Sequence, residues 1–567
     1  MLAVQARSVR TVRLGPLPLI NHFLEHLSLP ALLERFVPTT DRRCRLSHGK
    51  SLAILLRSIL VEREPIYRQQ ETVRNFAPGA FGLVGDEVEH LHDDTIGRAL
   101  DRLFDADRGT LLTAIVVRAS ECFDVRLHEL HSDTTSIRFT GQYRAARGRS
   151  IRGRRAPWIT YGHSKDHRPD LKQLLWVLAT SADGGIPVQF RSADGNVSDA
   201  QTHVATWEAL CRVTGRRDFL YVADSKLCSG ESMDYIDRRR GRFVVVLPRT
   251  RREDGDFRAW IQDHEPGWET LWDRPNPRRR SGPRDVWRVF RSPLPSREGW
   301  PVVWAWSSLL ALRHEQSRQA RLARAMQDLE RLRGRLAGPR PRLRSRPEVE
   351  RRAARIVRGL NVERYVRVVV ATELEHRFVQ ESRGRPGAQT RYRRQTSERL
   401  HLHWELDEQK LAYDRQSAGM YPLLTNDRSL SPRQVLEAHK RQPTLEKRFE
   451  QLKTVHEIAP VFLKNEARIE AFFFLYFLAL VVQAVIEREL RNAMRRERIE
   501  SLPLYPEERQ SHRPTAEQVF RLFAHVEGHV LQRGDAIETV DPDLTNLQRQ
   551  VLRTLGVPES AYNLATH

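Results

Sequence analysis

Apolar residues recur at helical spacing early in the chain. They fall at Leu19, Ile20, Phe23, Leu24 and Leu27 within 17–36, and the pattern returns over 51–61 and 94–119. Residues three and four apart share one helix face, so this predicts a helical module over residues 1–124. Asp93-Asp94-Thr95 offers an N-cap for the last of these helices. From about Val125 the period shortens. Residues 171–180 and 186–192 are apolar runs of strand length, separated by the turn Ala182-Asp183-Gly184-Gly185. With a strand around Asp133 they predict an antiparallel meander. A helix over 199–214 capped by Ser198, a strand over 219–224, a helix near 229–240 and a strand over 243–247 complete a β-β-β-α-β-α-β order. That order belongs to a layered α/β fold.

The region 249–420 interrupts this plan. Seven of the eleven tryptophans lie between Trp260 and Trp306, and they are expected to form the core of an insert rather than base-stacking platforms. A charged helical pair follows. Leu322, Met326, Leu329 and Leu336 share one face, and Gly338-Pro339-Arg340-Pro341 breaks the helix before a second one at about 347–358. Strand character returns over 366–374 and 400–406. Helices resume at Ser431 and run to about Arg495, and the Pro-punctuated tail 496–567 also reads as helical. The run from Ala471 to Val482 is shorter than the about 20 apolar residues a membrane span needs. It is flanked by Arg468, Glu470, Glu487, Arg488 and Glu489, so it is expected to be a buried core helix, with no membrane partner.

Charge changes the picture. The 567 residues carry 94 Lys and Arg against 72 Asp and Glu, a formal net charge of +22. Such a surplus favours a polyanionic partner, because each neutralised phosphate releases condensed counterions. Cys44, Cys122, Cys211 and Cys228 form no C-x-x-C pair, so neither a zinc site nor a disulfide framework is indicated. That and the absence of a long apolar stretch after Met1 lead to the expectation of a cytoplasmic protein.

Three acids then become the candidate chemistry. Asp133 lies in His131-Ser132-Asp133-Thr134-Thr135-Ser136, Asp224 ends the apolar run Phe219-Leu220-Tyr221-Val222-Ala223, and Glu446 lies in Leu445-Glu446-Lys447-Arg448-Phe449. Phosphodiester cleavage at neutral pH needs a strong nucleophile and relief of charge on the leaving oxygen, which two Mg²⁺ ions about 4 Å apart supply. Mg²⁺ takes oxygen ligands, which suits carboxylates. Each acid has a plainer reading, as a turn residue or helix cap. Glu437 and Glu450 compete with Glu446.

At these residues the chain resembles the bacterial insertion-sequence transposases of the DDE type, in the branch with a Y-x2-R-x3-E-x6-K signature. Glu446-x6-Lys453 matches it. Asp133-Thr134-Thr135-Ser136, the stretch from Ser164 to Leu171, Gly195-Asn196-Val197-Ser198-Asp199, Val222-Ala223-Asp224-Ser225, Leu424-Thr425-Asn426-Asp427 and Arg468-Ile469-Glu470 also resemble that branch. The chain departs from it where His439 and Gln442 stand at the positions of the signature's Tyr and Arg.

The resemblance implies a ribonuclease H-like mixed α/β core in two parts, 125–248 and 421–495, interrupted by the 249–420 insert. A DNA-binding helical module (1–124) would precede it and a helical tail (496–567) would follow. It implies an enzyme that cuts DNA at element ends and joins the freed 3′-OH to target DNA. Asp133, Asp224 and Glu446 would hold two Mg²⁺ ions, with Mn²⁺ able to substitute. Lys453, Lys440, Arg441, Lys165 and Arg168 would contact DNA. The partners implied are double-stranded DNA, as terminal inverted repeats and as target, and a second copy of the chain once assembled on DNA, in a bacterial, nucleoid-associated setting. The alternatives are a catalytically decayed protein that occupies DNA ends and a structure-specific nuclease on the same fold.

Overall fold

The computed structural model describes residues 7–276, 281–337, 343, 345–459, 461, 463–533 and 536–567. The chain divides into two compact units. Unit 1 comprises residues 1–246, 425–427 and 437–567, and unit 2 comprises 247–424 and 428–436.

Unit 1 begins with strand β1 (Arg7–Arg13) and a group of helices. The periodicity over 17–36 resolves into two helices, Leu17–His26 and Leu29–Phe36, because Ser28 turns the chain through a left-handed conformation (φ 53°). The stretch 94–119 is likewise split into Asp93–Asp105 and Arg108–Phe123. Asp107 caps the second of these by accepting from the Thr110 N–H.

A central sheet follows, built from β2 (Glu129–Phe139), β5 (Lys172–Ser181), β6 (Pro187–Ala193), β7 (Leu220–Ala223) and β8 (Arg242–Val246), with the short pair β3 (Ser150–Ile151) and β4 (Arg154–Arg155) beside it as a separate ladder. The spatial order is β6-β5-β2-β7-β8. β2, β5 and β6 form the expected antiparallel meander, whereas β2–β7 and β7–β8 are parallel. The parallel pairs need crossovers, which the helices His203–Thr214 and Gly230–Arg238 supply. Ser198 and Gln201 form a capping box at the entry to the first of them.

The core of unit 1 is threaded by one 31-residue helix, Glu466–Arg496. It is long and apolar enough to cross a membrane, but 94% of its most apolar window is buried in the protein. Phe473 meets Trp176 and Phe139, and Phe477 stacks on Phe190. Each such side chain contributes about 1.5–3 kcal/mol on burial, which accounts for an unbroken apolar run in a helix with no exposed face.

Unit 2 holds β9 (Glu269–Arg274), β10 (Asp285–Arg291), β11 (Val302–Ser307), β12 (Val366–Gln380), β13 (Tyr392–Leu406) and β14 (Met420–Thr425). β9, β10, β11 and β14 pair antiparallel in the order β14-β11-β10-β9. Trp287, Trp300 and Trp304 are buried, and Phe257 stacks on Trp304 at 3.9 Å, so these rings serve the core. A second core forms where the helices Ser308–Leu336 and Arg346–Gly359 pack Leu329, Leu332, Val349 and Ala353 against Val366, Val370 and Leu402. The Gly338-Pro339-Arg340-Pro341 breaker lies outside the described residues. β12 and β13 form a fifteen-pair ribbon whose outer half is exposed.

Two expectations fail at the chain ends. Neither the first 124 residues nor the tail is purely helical: β15 (Glu527–Arg533) pairs with β1 on one side and β16 (Ala536–Val540) on the other. β1 is too short and polar to announce itself, and Arg7 pairs with Arg533, more than 500 residues away. The tail keeps the helices Ala516–Phe523 and Asn546–Leu555.

Candidate active site

The site is built on the two central parallel strands. In their register Ser132 lies opposite Ala223. One step further, Asp133 and Asp224 stand abreast at the point where β7 ends. Paired positions on neighbouring strands project to the same face. Two carboxylates are thereby held side by side, Asp133 within β2 and Asp224 at the cap of the following turn, where it accepts from the Lys226 N–H at 3.0 Å.

Their environments differ. Burial pushes the Asp133 carboxyl up to about 6; the Lys165 ammonium opposes this, and the charges of Asp224 and Asp199 add to it. Asp224 is lowered. Burial acts to raise it but is outweighed by His203, whose Nε2 is 3.7 Å from Oδ1, by the Lys226 N–H and by Lys165. One acid of the pair thus holds its proton to higher pH than the other.

Lys165 sits inside this site. Its ammonium donates to the carbonyl and hydroxyl of Thr134, both at 2.6 Å, and lies 3.1 Å from Asp199 and 3.7 Å from Asp133. Asp199, one turn after the Gly195 loop, therefore joins the acidic group. Its Gly-Asn-Val-Ser-Asp stretch is visible in the sequence, but its closeness to Asp133 is not.

Glu446 lies in the first turn of the helix Pro443–Glu450, on its exposed side, while Leu445, Arg448 and Phe449 are buried. Two anchors lay this segment along β2. At one end Arg441 grips Glu129 through two hydrogen bonds of 2.6 and 2.7 Å. At the other, Lys453 is 2.7 Å from Asp166, which also faces Arg138 at 3.7 Å. Glu446 falls between the anchors on its helix, as Asp133 does between Glu129 and Arg138 on its strand. Among the described residues nothing pairs with Glu446, and no three Asp, Glu, His or Cys side chains gather closely enough to hold an ion. The structure brings Asp133 and Asp224 together and leaves Glu446 on the neighbouring helix. A π-helical turn over Gln451–Val455 follows that helix, so Glu446 and Lys453 are not joined by the regular two-turn α-helix that their spacing suggests.

A family model described as a domain of unknown function (DUF4277) matches residues 9–117. No curated protein matches the chain. Among solved structures, that of a piggyBac transposase synaptic complex with hairpin DNA is 10% identical over 53% of this chain and 63% of that one, with a TM-score of 0.26. At that score the likeness carries no weight, and the functional reading rests on the residues themselves.

The expected DNA contacts are distributed unevenly. Arg168 is exposed and paired with Asp170 at 2.6 Å. The Arg441 guanidinium is committed to Glu129, which also meets His131 at 2.8 Å. Burial acts to raise the Glu129 carboxyl, but His131 and Arg441 hold it down at about 2. Lys440 lies on the same helix, Pro432–Arg441. The Glu129–His131–Arg441 group was not legible beforehand, since nothing in Arg441's neighbours marks Glu129 as its partner 312 residues away.

The raised Asp133 carboxyl has a measurable consequence. An acid whose folded value lies above its unfolded one costs stability once ionised. The cost is absent below the unfolded value of 3.8, grows as pH rises through about 6, and is constant above that. Asp133→Asn is therefore expected to raise the melting temperature in EDTA at pH 8 by a few degrees, and to have no such effect at pH 4. A melting temperature unchanged or lowered at pH 8 would contradict this account of the site.

Proposed function

We propose that this protein is a DDE-type DNA transposase with a ribonuclease H-like core, acting on element ends and target DNA. The observation that carries the reading is the placement of Asp133 on β2 beside Asp224, the first residue past the end of the parallel strand β7, in a sheet whose order is three antiparallel strands followed by two parallel ones. The resemblance of the motifs around Asp133, Asp224 and Glu446-x6-Lys453 supports it, as does the charge of +22.

The donor set suits a hard divalent ion: carboxylate oxygens on two strands, with a third on an exposed helix face within one unit. Mg²⁺, when bound, supplies activation of the attacking oxygen and relief of charge on the leaving one. Asp133 and Asp224 would provide the fixed ligands. Glu446, held by no described partner, is the candidate third ligand on the neighbouring helix. Asp224, the lowered acid, stays ionised across the working range. Asp133 must give up its proton before it can act as a ligand, so ion affinity rises with pH through about 6. Lys165 offsets the charge of the acids before an ion arrives. Lys453, fixed by Asp166 beside β2, stands where a backbone phosphate would approach.

Strand transfer separates this reading from a nuclease on the same fold. With Mg²⁺, the purified protein is expected to join a pre-cut duplex end bearing a 3′-OH to plasmid DNA, giving a covalent product visible on a denaturing gel. Hydrolysis without joining would replace the transposase by a nuclease. Duplex binding with neither reaction would leave a decayed end-binding protein.

A further inference from the structure

Unit 2 contains a cleft of about 640 Å³ that the proposed catalysis does not use. Its walls come from the segment 249–258, the helix Ser308–Leu336, and residues near 361–365 and 413–418. Seven arginines line it against three acids, Asp254, Glu363 and Asp414. Some of the positive charge is answered within the protein: Arg258 is paired with Asp254 at 2.6 Å and Arg364 with Asp414 at 3.4 Å.

Arg251 also meets Glu253 and Glu298, and Arg252 meets Asp256 at 3.2 Å, so the charge left over centres on Arg249, Arg321 and part of Arg318. Arg318 is 95% buried, being only 5% exposed, and its one ion pair runs from Nη2 to Glu315 at 3.1 Å. Its Nη1 is buried with no hydrogen-bond partner among the described residues. A guanidinium N–H left unmade in a buried setting costs the desolvation of a charged donor, so an unsatisfied donor lies beside the cleft. Arg249 and Arg321 face no acid among the described residues. His314 accepts from the Gly419 N–H at 3.2 Å through Nδ1, which leaves Nε2 to carry the ring proton. Burial first, and then Arg249, Arg318, Arg258 and Arg313, hold that imidazole below its ordinary value. The cleft therefore keeps a positive surplus at Arg249 and Arg321 and is rich in N–H donors.

We infer that this cleft is a phosphate-binding site, with Arg318 at its base and Arg249, Arg321 and His314 around it, and that it takes phosphodiester groups of DNA. Guanidinium groups match phosphate oxygens in geometry and stay charged at every relevant pH. A free nucleotide phosphate shares that chemistry. That the phosphate belongs to DNA rests on the reading above; that the cleft takes an oxyanion does not.

The test measures binding in EDTA, so that it is independent of cleavage, using the full chain. Arg318 is buried and its loss could unfold unit 2, so the variants are Arg249→Ala/Arg321→Ala, both at the cleft. Arg351→Ala/Arg355→Ala, on exposed positions of the helix Arg346–Gly359, removes the same charge elsewhere in the unit. Fluorescence anisotropy follows a labelled duplex across a salt series, and calorimetry follows inorganic pyrophosphate. The cleft pair is expected to weaken duplex binding about tenfold or more and to reduce the slope of log affinity against log salt by about two, one per lost phosphate contact. The Arg351/Arg355 pair should change both much less. Equal effects from the two pairs would overturn the inference. Pyrophosphate binding lost with duplex binding unchanged would overturn the DNA assignment and give the site to a free phosphate compound.

Discussion

Asp224→Asn is expected to abolish Mg²⁺-dependent DNA cleavage while leaving binding to DNA ends intact. The substitution keeps the shape of the side chain. An amide oxygen can still accept from the Lys226 N–H, now at 3.0 Å, so the turn after β7 should persist. What is lost is the charge that Asp224 contributes beside Asp133. Metal-ion stabilisation of the leaving oxygen amounts to several kcal/mol, and about 4 kcal/mol corresponds to roughly a thousandfold in rate. A labelled duplex incubated with Mg²⁺ and resolved on a denaturing gel reads the cleavage, and a mobility-shift titration in EDTA reads the binding. Undiminished cleavage by the variant would remove Asp224 from the site and with it the proposed activity.

The second large effect concerns the scaffold under Glu446. Glu487, on the long central helix, is fully buried. It lies 3.0 Å from Arg448, itself fully buried, and 3.1 Å from Lys447, and accepts from Gln451 at 2.9 Å and from the Ala516 N–H at 3.2 Å. Arg448 also donates to the carbonyls of Gly184 and Gly185 in the β5–β6 turn. This cluster fixes the Glu446 helix to the sheet. Removing one partner leaves a buried charge uncompensated, which costs about 3–5 kcal/mol. Glu487→Ala is expected to lower stability by that amount at pH 7, measured by denaturant unfolding. Burial acts to raise the Glu487 carboxyl, but Arg448, Lys447 and Arg491 hold it down at about 2. A group lowered in the folded state stabilises above its unfolded value of 4.5, and that contribution fades as pH falls toward 2. The gap between the variant and the parent should therefore narrow between about pH 5 and pH 2. Identical unfolding curves at pH 7 would show that the cluster does not hold the helix.

Much of the core was legible because its signals are local. The turn at Asp183-Gly184-Gly185, the apolar runs on either side and the Ser198 cap each act over a few residues, and each appears where its chemistry requires. The buried fate of residues 471–482 was also legible, since the flanking charges and short run disfavour a lipid setting. The Leu27-Ser28 break was less so, because a serine in a left-handed conformation leaves the surrounding periodicity intact. The β1–β15–β16 sheet was not legible at all, since strand pairing across the whole chain has no local signature.

The same division runs through the candidate site. The sequence by itself determined which residues are candidates for the proposed chemistry: the carboxylates Asp133, Asp224 and Glu446, set in a basic chain. It could do so because side-chain chemistry and short spacing are properties of the chain. Only the tertiary structure decided that Asp133 and Asp224 stand abreast. It alone placed Lys165 and Asp199 beside them, committed Arg441 to Glu129, and left Glu446 on an exposed helix face. Those relations depend on strand register and helix docking between segments hundreds of residues apart, which burial of the whole core fixes and no local pattern records.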